Sequence, residues 1–489
     1  MLHDAMLFPR PEVEIAGAIG EFEPDAVGVS LMGDADMESA SLLMKQIQNF
    51  SNGQTVMVAG GSLVSTEPER VASSLPEGTF LVRFEGERPL LRLLETIENG
   101  EPPETVPSIA WLQGLRLKTS STFGLVENLD DNPWPARDLA PVVARRFGVL
   151  NVQGSRGCTG RCTYCCMPSI PRSSGTSWRG RSPQDIAREL EELHRQHDVV
   201  AFNFVDDDFL GPARHAEGRA NDLANAVAER GLRVGFGAQL RPHTLGPSTI
   251  DALARAGLAW AFVGVESDEP ATLRAWRRQP TRNDVWGSIE QLREHRVEVE
   301  AGIILFHPEA RLDAVRRLGD ILIDRGLLNF RTATSRLHLL PGSHLYEQFK
   351  NDGAIPAGVS GPFTPPIQDA KVETLFLHLA QSLAPLRPCW VHAACRLPGL
   401  VSQSRAGRPV TETLKTVRAV LSDLNSWVCE TLDTLLVHAD RGMSDTGWAE
   451  RALETSREKG LLACEQLERG GLLTDPQQLR EAIAVEGGA

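Results

Sequence analysis

The chain has 489 residues, 42% of them apolar, and 50 basic against 64 acidic side chains give it a net charge of −14. That surplus of acid excludes phosphate-backbone binding as a main activity, and two tyrosines beside 17 phenylalanines and nine tryptophans argue against an aromatic platform for single-stranded nucleic acid. No run of about 18 apolar residues exists, so no membrane span is expected, and Met1 to Arg10 lacks the basic, apolar and small-residue regions of a signal peptide.

Residues 1–100 read as a small α/β unit. Asp25 to Met32 is an apolar strand ending in polar residues, Glu38 to Asn49 a helix, and Val56 to Gly61 a second strand closing on a glycine pair. Phe80 to Arg83 is a third strand, followed by Glu85-Gly86-Glu87 and a helix through Leu94. Strand alternating with helix indicates a doubly wound sheet, and glycines at a strand end let a large ligand approach the backbone. Residues 101–146 read as a linker, because Pro102, Pro103, Pro107, Pro133, Pro135 and Pro141 interrupt any regular element.

Residues 147–350 open with the apolar run Phe147 to Val152 and then Ser155-Arg156-Gly157-Cys158-Thr159-Gly160-Arg161-Cys162-Thr163-Tyr164-Cys165. Three thiolates at CxxxCxxC spacing can hold three irons of a [4Fe–4S] cube and leave the fourth open. A zinc site commonly needs four ligands. The only nearby fourth thiol, Cys166, adjoins Cys165, and the two would struggle to reach one ion. Eight cysteines grouped as a metal motif fit a reducing cytoplasm better than a disulfide framework.

Further strands follow at Val199 to Val205, Arg233 to Gln239, Trp260 to Val265, Val297 to Phe306 and Arg331 to Leu340, each but the last with a helical stretch behind it. Near-continuous apolar strands with helical crossovers predict a parallel sheet covered on its faces. Polar residues then gather at the C-terminal strand ends: Asp206, Asp207 and Asp208; Glu266 and Ser267; His307 and Glu309; and Leu339 to Ser343. Asp208, His307 and Glu309, with His243, are candidates for proton transfer.

A CxxxCxxC loop with an aromatic residue before its third cysteine resembles the signature of the radical SAM superfamily, and the likeness extends over all six strand units. It implies a partial (β/α)6 barrel. It implies a [4Fe–4S] cluster on Cys158, Cys162 and Cys165, and S-adenosylmethionine chelated by the open iron. Reduction would then yield a 5′-deoxyadenosyl radical that abstracts a substrate hydrogen. By the same resemblance Asp206, Asp207 and Asp208 stand where the methionyl amine is held, and Glu266 and Ser267 where the ribose is held. Arg278, with Arg277 as rival, stands where the carboxylate is held; Tyr164 and Met167 flank the adenine, Gly302 lies in the fifth strand, and the Leu339 backbone reaches the adenine edge. An external flavodoxin- or ferredoxin-like electron donor is implied.

The first hundred residues resemble the Rossmann-like cobalamin-binding domain that precedes many radical SAM modules, with Ser30-Leu31-Met32 in place of its SxL element and Gly60-Gly61 in place of its GG element. No DxHxxG loop occurs, and the chain starts about where that fold's first strand would end, so the sequence leaves cobalamin open. Residues 351–489 read as a helical C-terminal region, apolar at helical spacing from Val417 to Leu435. Cys389, His392 and Cys395 could hold a second metal, although buried cysteine is commonly a small hydrophobe.

Two outcomes compete. Hydrogen abstraction followed by loss of a hydroxyl, as in the radical SAM diol dehydratases of aminoglycoside biosynthesis, requires no cobalt and would suit a cationic aminosugar-like substrate of an acidic protein. Cobalamin-dependent C-methylation is the alternative. The expectation taken forward is dehydration, with no nucleic-acid or membrane partner; the oligomeric state is not legible.

Overall fold

The computed structural model describes residues 11–51, 54–169, 177–278, 285–356, 361–441, 446–473 and 475–486. The chain divides into two compact units. The first comprises residues 1–142, 161–179 and 339–363; the second comprises 143–160, 180–338 and 364–489.

The first unit is built on a five-stranded sheet of β1 (Ala26–Ser30), β2 (Val56–Gly60), β3 (Phe80–Val82), β4 (Ile109–Gln113) and β5 (Arg116–Thr119), in that spatial order. The first three strands run parallel, and β4 and β5 are added antiparallel. Side chains alternate between two covered faces. Met57 and Ala59 pack with Leu31, Met44, Val64, Val71 and Leu81 on one face, and Val58 packs with Val82, Leu93, Val106 and Ile109 on the other. The helices expected after β1 and β3 run Met37–Phe50 and Glu87–Glu98, and a further helix, Pro11–Phe22, precedes β1. The hairpin β4–β5 lies in the stretch expected to be a linker. The prolines flank that hairpin, and Ile109-Ala110-Trp111-Leu112 supplies apolar partners for the edge of β3.

The second unit holds five parallel strands in the order β12-β11-β10-β9-β6: β6 (Leu150–Val152), β9 (Ala201–Phe204), β10 (Gly235–Leu240), β11 (Leu258–Glu266) and β12 (Glu298–Ile303). Short strands β7 (Ser155–Gly157) and β8 (Trp178–Gly180) flank the cysteine loop in sequence. Crossover helices run Pro183–His197, Ala213–Glu229, Pro247–Ala256, Val285–Glu294 and Leu312–Asp324. Under them lie Phe202, Phe204, Phe209 and Phe236, all buried, with ring centroids 4.6 Å apart for Phe204–Phe209 and 5.2 Å for Phe204–Phe236.

The sixth strand, expected over Arg331 to Leu340, does not form as one. Asn329 caps a short helix, Phe330–Ala333, by accepting from Thr332 N–H at 3.0 Å while Thr332 Oγ1 accepts from Asn329 N–H at 2.8 Å. The chain then pairs with the segment after β12 through a parallel bridge, Phe306 to Arg336. The C-terminal region is helical as expected, in Ala370–Leu383, Arg387–Arg405, Thr411–Asp440, Thr446–Arg469 and Pro476–Val485.

Candidate active site

The cysteine loop is where the two units share one chain: Cys158 belongs to the second, and Cys162, Cys165 and Cys166 to the first. None of the four is in a disulfide. Gly157, at φ 83°, takes the left-handed conformation the turn into the loop requires. Among the described residues no three His, Cys, Asp or Glu side chains converge as they would on a single ion.

In the second unit the carboxylates after β9 take up the start of this loop. Asp206 is 1% exposed; Oδ2 accepts from Gly154 N–H at 3.0 Å and Oδ1 from Ser155 Oγ. Asp208 is equally buried. Its Oδ2 accepts from Thr159 N–H at 3.2 Å and Thr159 Oγ1 at 2.9 Å, lies 3.7 Å from Cys158 Sγ, and its Oδ1 accepts from Gly211 N–H at 3.2 Å. Arg241, just past β10, lies 3.3 Å from Asp208 and donates to Thr159 Oγ1. The oxygens of Asp206 and Asp208, expected to hold the methionyl amine, are here engaged by the backbone and hydroxyls of the loop. Asp207 is the exposed member of the three, and desolvation, then Asp208, raise its pKa. Arg241 was missed because the third strand was read as ending at Gln239, one residue before it does.

Burial pushes the Asp206 carboxyl up to about 6 against the hydrogen bonds from Ser155 and Gly154. The folded value lies above the unfolded one, so the stabilisation is complete below about pH 4 and is lost as pH rises through 6. Asp206→Asn is expected to flatten this decline, worth up to about 3 kcal/mol for a two-unit shift. Urea midpoints of both proteins between pH 4 and 8 measure it; parallel pH profiles would refute the assignment.

At the end of β11 the backbone bulges, and Glu266 adopts φ 70°. Arg278 Nη2 lies 3.3 Å from Glu266 Oε1 and donates to Gly264 O at 2.5 Å. A Cβ at Gly264 would stand 2.6 Å from that guanidinium, so glycine makes room for the pair. Arg277 is exposed, which leaves Arg278 as the arginine brought to the rim. Ser267 is buried and its Oγ accepts from Glu269 N–H at 3.1 Å, a turn contact. Gly302 has a packing reason: a Cβ there would lie 2.5 Å from the Phe262 ring.

His307 is buried, 3.2 Å from Glu309 and edge-on to Trp276 at 5.1 Å. The histidine holds the Glu309 carboxyl below its usual range. His243 is lowered to about 4 by burial and by Arg241 and Arg278, so it is a neutral imidazole at neutral pH. In the first unit Tyr164 and Met167 are half-buried. Leu339 is fully buried, and it exchanges both backbone hydrogen bonds with Phe363, at 2.8 and 2.9 Å.

Sequence reasoning also missed a polar face. Strand register places Asn151, Asn203, Gly237, Trp260 and Glu298 in one row across the sheet and Gln239, Phe262 and Glu300 in the next. Asn203 Nδ2 donates to Asn151 Oδ1 at 3.3 Å, and Glu300 pairs Arg331 at 2.7 Å. Asn151, Asn203, Gln239, Trp260, Phe262, Glu298 and Glu300 share this face, while Phe202, Ala238, Ala261 and Ala301, which alternate with them, are buried apolar. That period of two was the available signal. Amides, a guanidinium and aromatic faces on one wall can bind a polar small molecule.

Cys389, His392 and Cys395 do not form a metal site. Cys389 Sγ donates to Gly460 O at 3.2 Å, His392 Nε2 meets Leu472 O at 2.9 Å, and Cys395 is exposed.

The five-stranded parallel sheet with helical crossovers and the cysteine loop after its first strand lie mostly in the part of the chain that matches a known family. Residues 152–318 match the radical SAM superfamily, whose cofactors are a [4Fe–4S] cluster and S-adenosylmethionine. When bound, they supply a one-electron route to a carbon radical; Cys158, Cys162 and Cys165 are the residues that would hold the cluster. The chain is 26% identical over 341 residues to an uncharacterized methyltransferase of Pyrococcus horikoshii, covering 68% of this chain and 71% of that one. It is 24% identical over 306 residues to an anaerobic magnesium-protoporphyrin IX monomethyl ester cyclase of Synechocystis, covering 60% of this chain and 59% of that one, less than two thirds of the cyclase's length. Among solved structures, the cobalamin-dependent S-adenosylmethionine radical enzyme OxsB with aqua-cobalamin bound shares the fold at TM-score 0.71 and 16% identity, over 97% of this chain and 78% of that one. The radical S-adenosylmethionine methyltransferase TsrM from Kitasatospora setae, with tryptophan and a SAM analogue bound, shares it at TM-score 0.58 and 18% identity, over 72% of each chain. Dehydration without methyl transfer, the outcome first expected, finds no support in these relatives, and the methylation alternative fits them better.

Proposed function

We propose that this protein is a cobalamin-dependent radical SAM methyltransferase acting on an unactivated carbon of a polar small molecule. The observation that carries the reading is the rim of the first unit at the ends of β1 and β2. Met32 is 68% exposed there, Ser30 is exposed, and Gly60 and Gly61 add no side chains. Gly61 sits at φ 101°, and a Cβ on it would collide with Leu31 O, so the SxL and GG elements pack directly against each other. A rim poor in side chains suits a large planar ligand such as a corrin. Asp36 Oδ2 closes the loop after β1 by accepting from Met32 and Gly33 N–H at 2.9 and 3.1 Å. No histidine stands in that loop, Met32 to Asp36, so the cobalt would lack a protein imidazole from it.

The relatives support this reading by their names. One is the Pyrococcus methyltransferase, and another is a cytidylyl-2-hydroxyethylphosphonate methyltransferase of Streptomyces wedmorensis, 23% identical over 302 residues. A magnesium-protoporphyrin cyclase among them favours a second reading, a cobalamin-dependent radical reaction without methyl transfer. The acidic balance and the amide-lined strand face support a polar, cationic substrate, and reduction would come from a flavodoxin- or ferredoxin-like donor. Among the described residues no helix is long and apolar enough to cross a membrane.

The test is anaerobic incubation of reconstituted protein with S-adenosylmethionine, with and without cobalamin supplied during production. Methylation predicts a corrin absorption band and formation of both 5′-deoxyadenosine and S-adenosylhomocysteine. A corrin band with 5′-deoxyadenosine alone selects the second reading. Full activity without any corrin overturns both.

A further inference from the structure

We propose that Glu300 is a specificity-determining residue, the carboxylate that anchors a protonated amine of the substrate beside the Phe262 ring. The inference rests on the reading above that the substrate is a polar cation, and it uses residues of the second unit alone. Glu298, Glu300 and Gly302 alternate onto one face of β12. Glu300 stands directly opposite Phe262, and Gln239 is next in the row. The Phe262 ring lies over Gly302, where a Cβ would come within 2.5 Å of it. Phe262 and Glu300 are partly exposed and Gln239 is exposed, while Leu240, Val263 and Ala301, on the other face, are buried. The row therefore opens to solvent.

The Glu300 carboxylate lacks directed donors. Only 16% of the side chain is exposed, and Oε1 is buried without a hydrogen bond, the one buried carboxylate oxygen in that state among the described residues. Arg331 Nη1 approaches it to 2.7 Å without the alignment a hydrogen bond needs. Neighbouring acids differ. Glu298 accepts from Arg418 at 2.7 Å, and Glu373 takes both arms of Arg336 at 2.9 Å. Burial raises the Glu300 pKa against the pull of Arg331, so the arginine compensates the charge only in part.

Buried carboxylates in folded proteins are paired and hydrogen-bonded, and one that is not asks for a ligand. An ammonium carries three donors and a compact charge, so it can satisfy the carboxylate and rest on an aromatic face at once. Arg331 is 53% exposed and lies 5.8 Å from the Trp390 ring centroid, on a long side chain that can swing toward solvent as the amine arrives.

Cys395, on the helix Arg387–Arg405, provides a reporter. It is exposed, yet burial raises its thiol pKa, and Arg331 and Glu300 are the charges that act on it. Solvent access within a desolvating surround marks a side chain that lines a recess.

The test uses the full chain without cofactors in four forms: wild type, Glu300→Gln, Glu300→Asp and Arg331→Gln. Each is treated with aminoethyl methanethiosulfonate, which carries an ammonium, or with sulfonatoethyl methanethiosulfonate, which carries an anion. The Cys395 thiolate attacks the sulfenyl sulfur, a mixed disulfide forms and methanesulfinate leaves. Peptide mass spectrometry reads the rate at Cys395 apart from the other cysteines, and each rate is divided by that of the free amino acid cysteine at the same pH. Wild type should favour the ammonium reagent on the order of tenfold. Arg331→Gln should favour it more, Glu300→Asp should keep part of the preference, and Glu300→Gln should lose it with unchanged far-ultraviolet circular dichroism. Equal normalised rates in wild type, or a preference that survives in folded Glu300→Gln, overturn the proposal. If Glu300→Gln does not fold, wild type and Arg331→Gln still decide. Neither cluster nor corrin takes part. A protein with the preference that forms no S-adenosylhomocysteine therefore sinks methylation and leaves the anchor, whereas methylation without the preference sinks the anchor alone.

Discussion

Replacing Cys158, Cys162 or Cys165 by alanine, one at a time, is expected to reduce 5′-deoxyadenosine formation to below about one hundredth of wild type, because each thiolate would hold its own iron. The one rival is Cys166. It is half-buried beside Cys165, and hydrogen bonding to Cys166 is the first cause, ahead of burial, that pushes the Cys165 thiol far above its usual range. Cys166→Ala removes that partner and makes the Cys165 thiolate easier to form. It should therefore keep the full iron content and cleavage rate. The measurement is chromatographic quantitation of 5′-deoxyadenosine from dithionite-reduced, reconstituted protein. Retained cleavage in any of the first three, or loss of about one iron in four in Cys166→Ala, would show that the ligand set was chosen wrongly.

The motif and the strands were legible for the same reason: both are local. Apolar runs such as Val199 to Val205 and Trp260 to Val265 lie within a few residues of the observed β9 and β11, because a strand covered on both faces has little freedom in composition. The hairpin β4–β5 was hidden by its prolines, which read as breakers although they flank the strands. The failed sixth strand turned on the reciprocal Asn329–Thr332 cap, which outweighs the β-branched residues that follow it.

The site was less legible than the fold. Sequence places three aspartates at a strand end, but it cannot say which oxygens remain once the loop's own donors are satisfied. Here two of the three are consumed by Gly154, Ser155 and Thr159, and only Asp207 faces outward. Likewise the sequence places Gly302 in a strand but does not show that it seats the Phe262 ring. Glu85 had been noted only as part of an acidic triplet after a strand. Its partner, Arg179, lies 94 residues away, a separation that no local pattern spans. The polar face that carries Asn151, Asn203 and Gln239 was readable in principle, because each stands in an otherwise largely apolar strand. The weight given to continuous apolar runs concealed it.

The second large effect is expected at Asp208. This carboxylate and Arg241 are 1% and 6% exposed, and between them they fix Thr159, the residue after the first cysteine. Asp208→Ala leaves a buried guanidinium without its counter-charge and leaves Thr159 N–H and Gly211 N–H without their acceptor. Breaking one partner of a buried pair costs about 3–5 kcal/mol, a large fraction of the stability of an ordinary domain. Asp208→Asn keeps a carbonyl oxygen for one of those donors but turns an amide toward Arg241. It should fall between Asp208→Ala and wild type. Arg241→Met, which removes the charge and keeps much of the volume, relieves the Asp208 cluster of its cation but keeps the Thr159 and Gly211 hydrogen bonds, so it should cost less than Asp208→Ala. The measurements are urea unfolding followed by circular dichroism, and iron per chain after reconstitution. The expected order of both stability and iron content is wild type, Arg241→Met, Asp208→Asn, Asp208→Ala. If Asp208→Ala lost less than about 1 kcal/mol, the range of an exposed pair, while retaining full iron, Asp208 would not brace the loop. Its carboxylate would then be available to the cofactor after all.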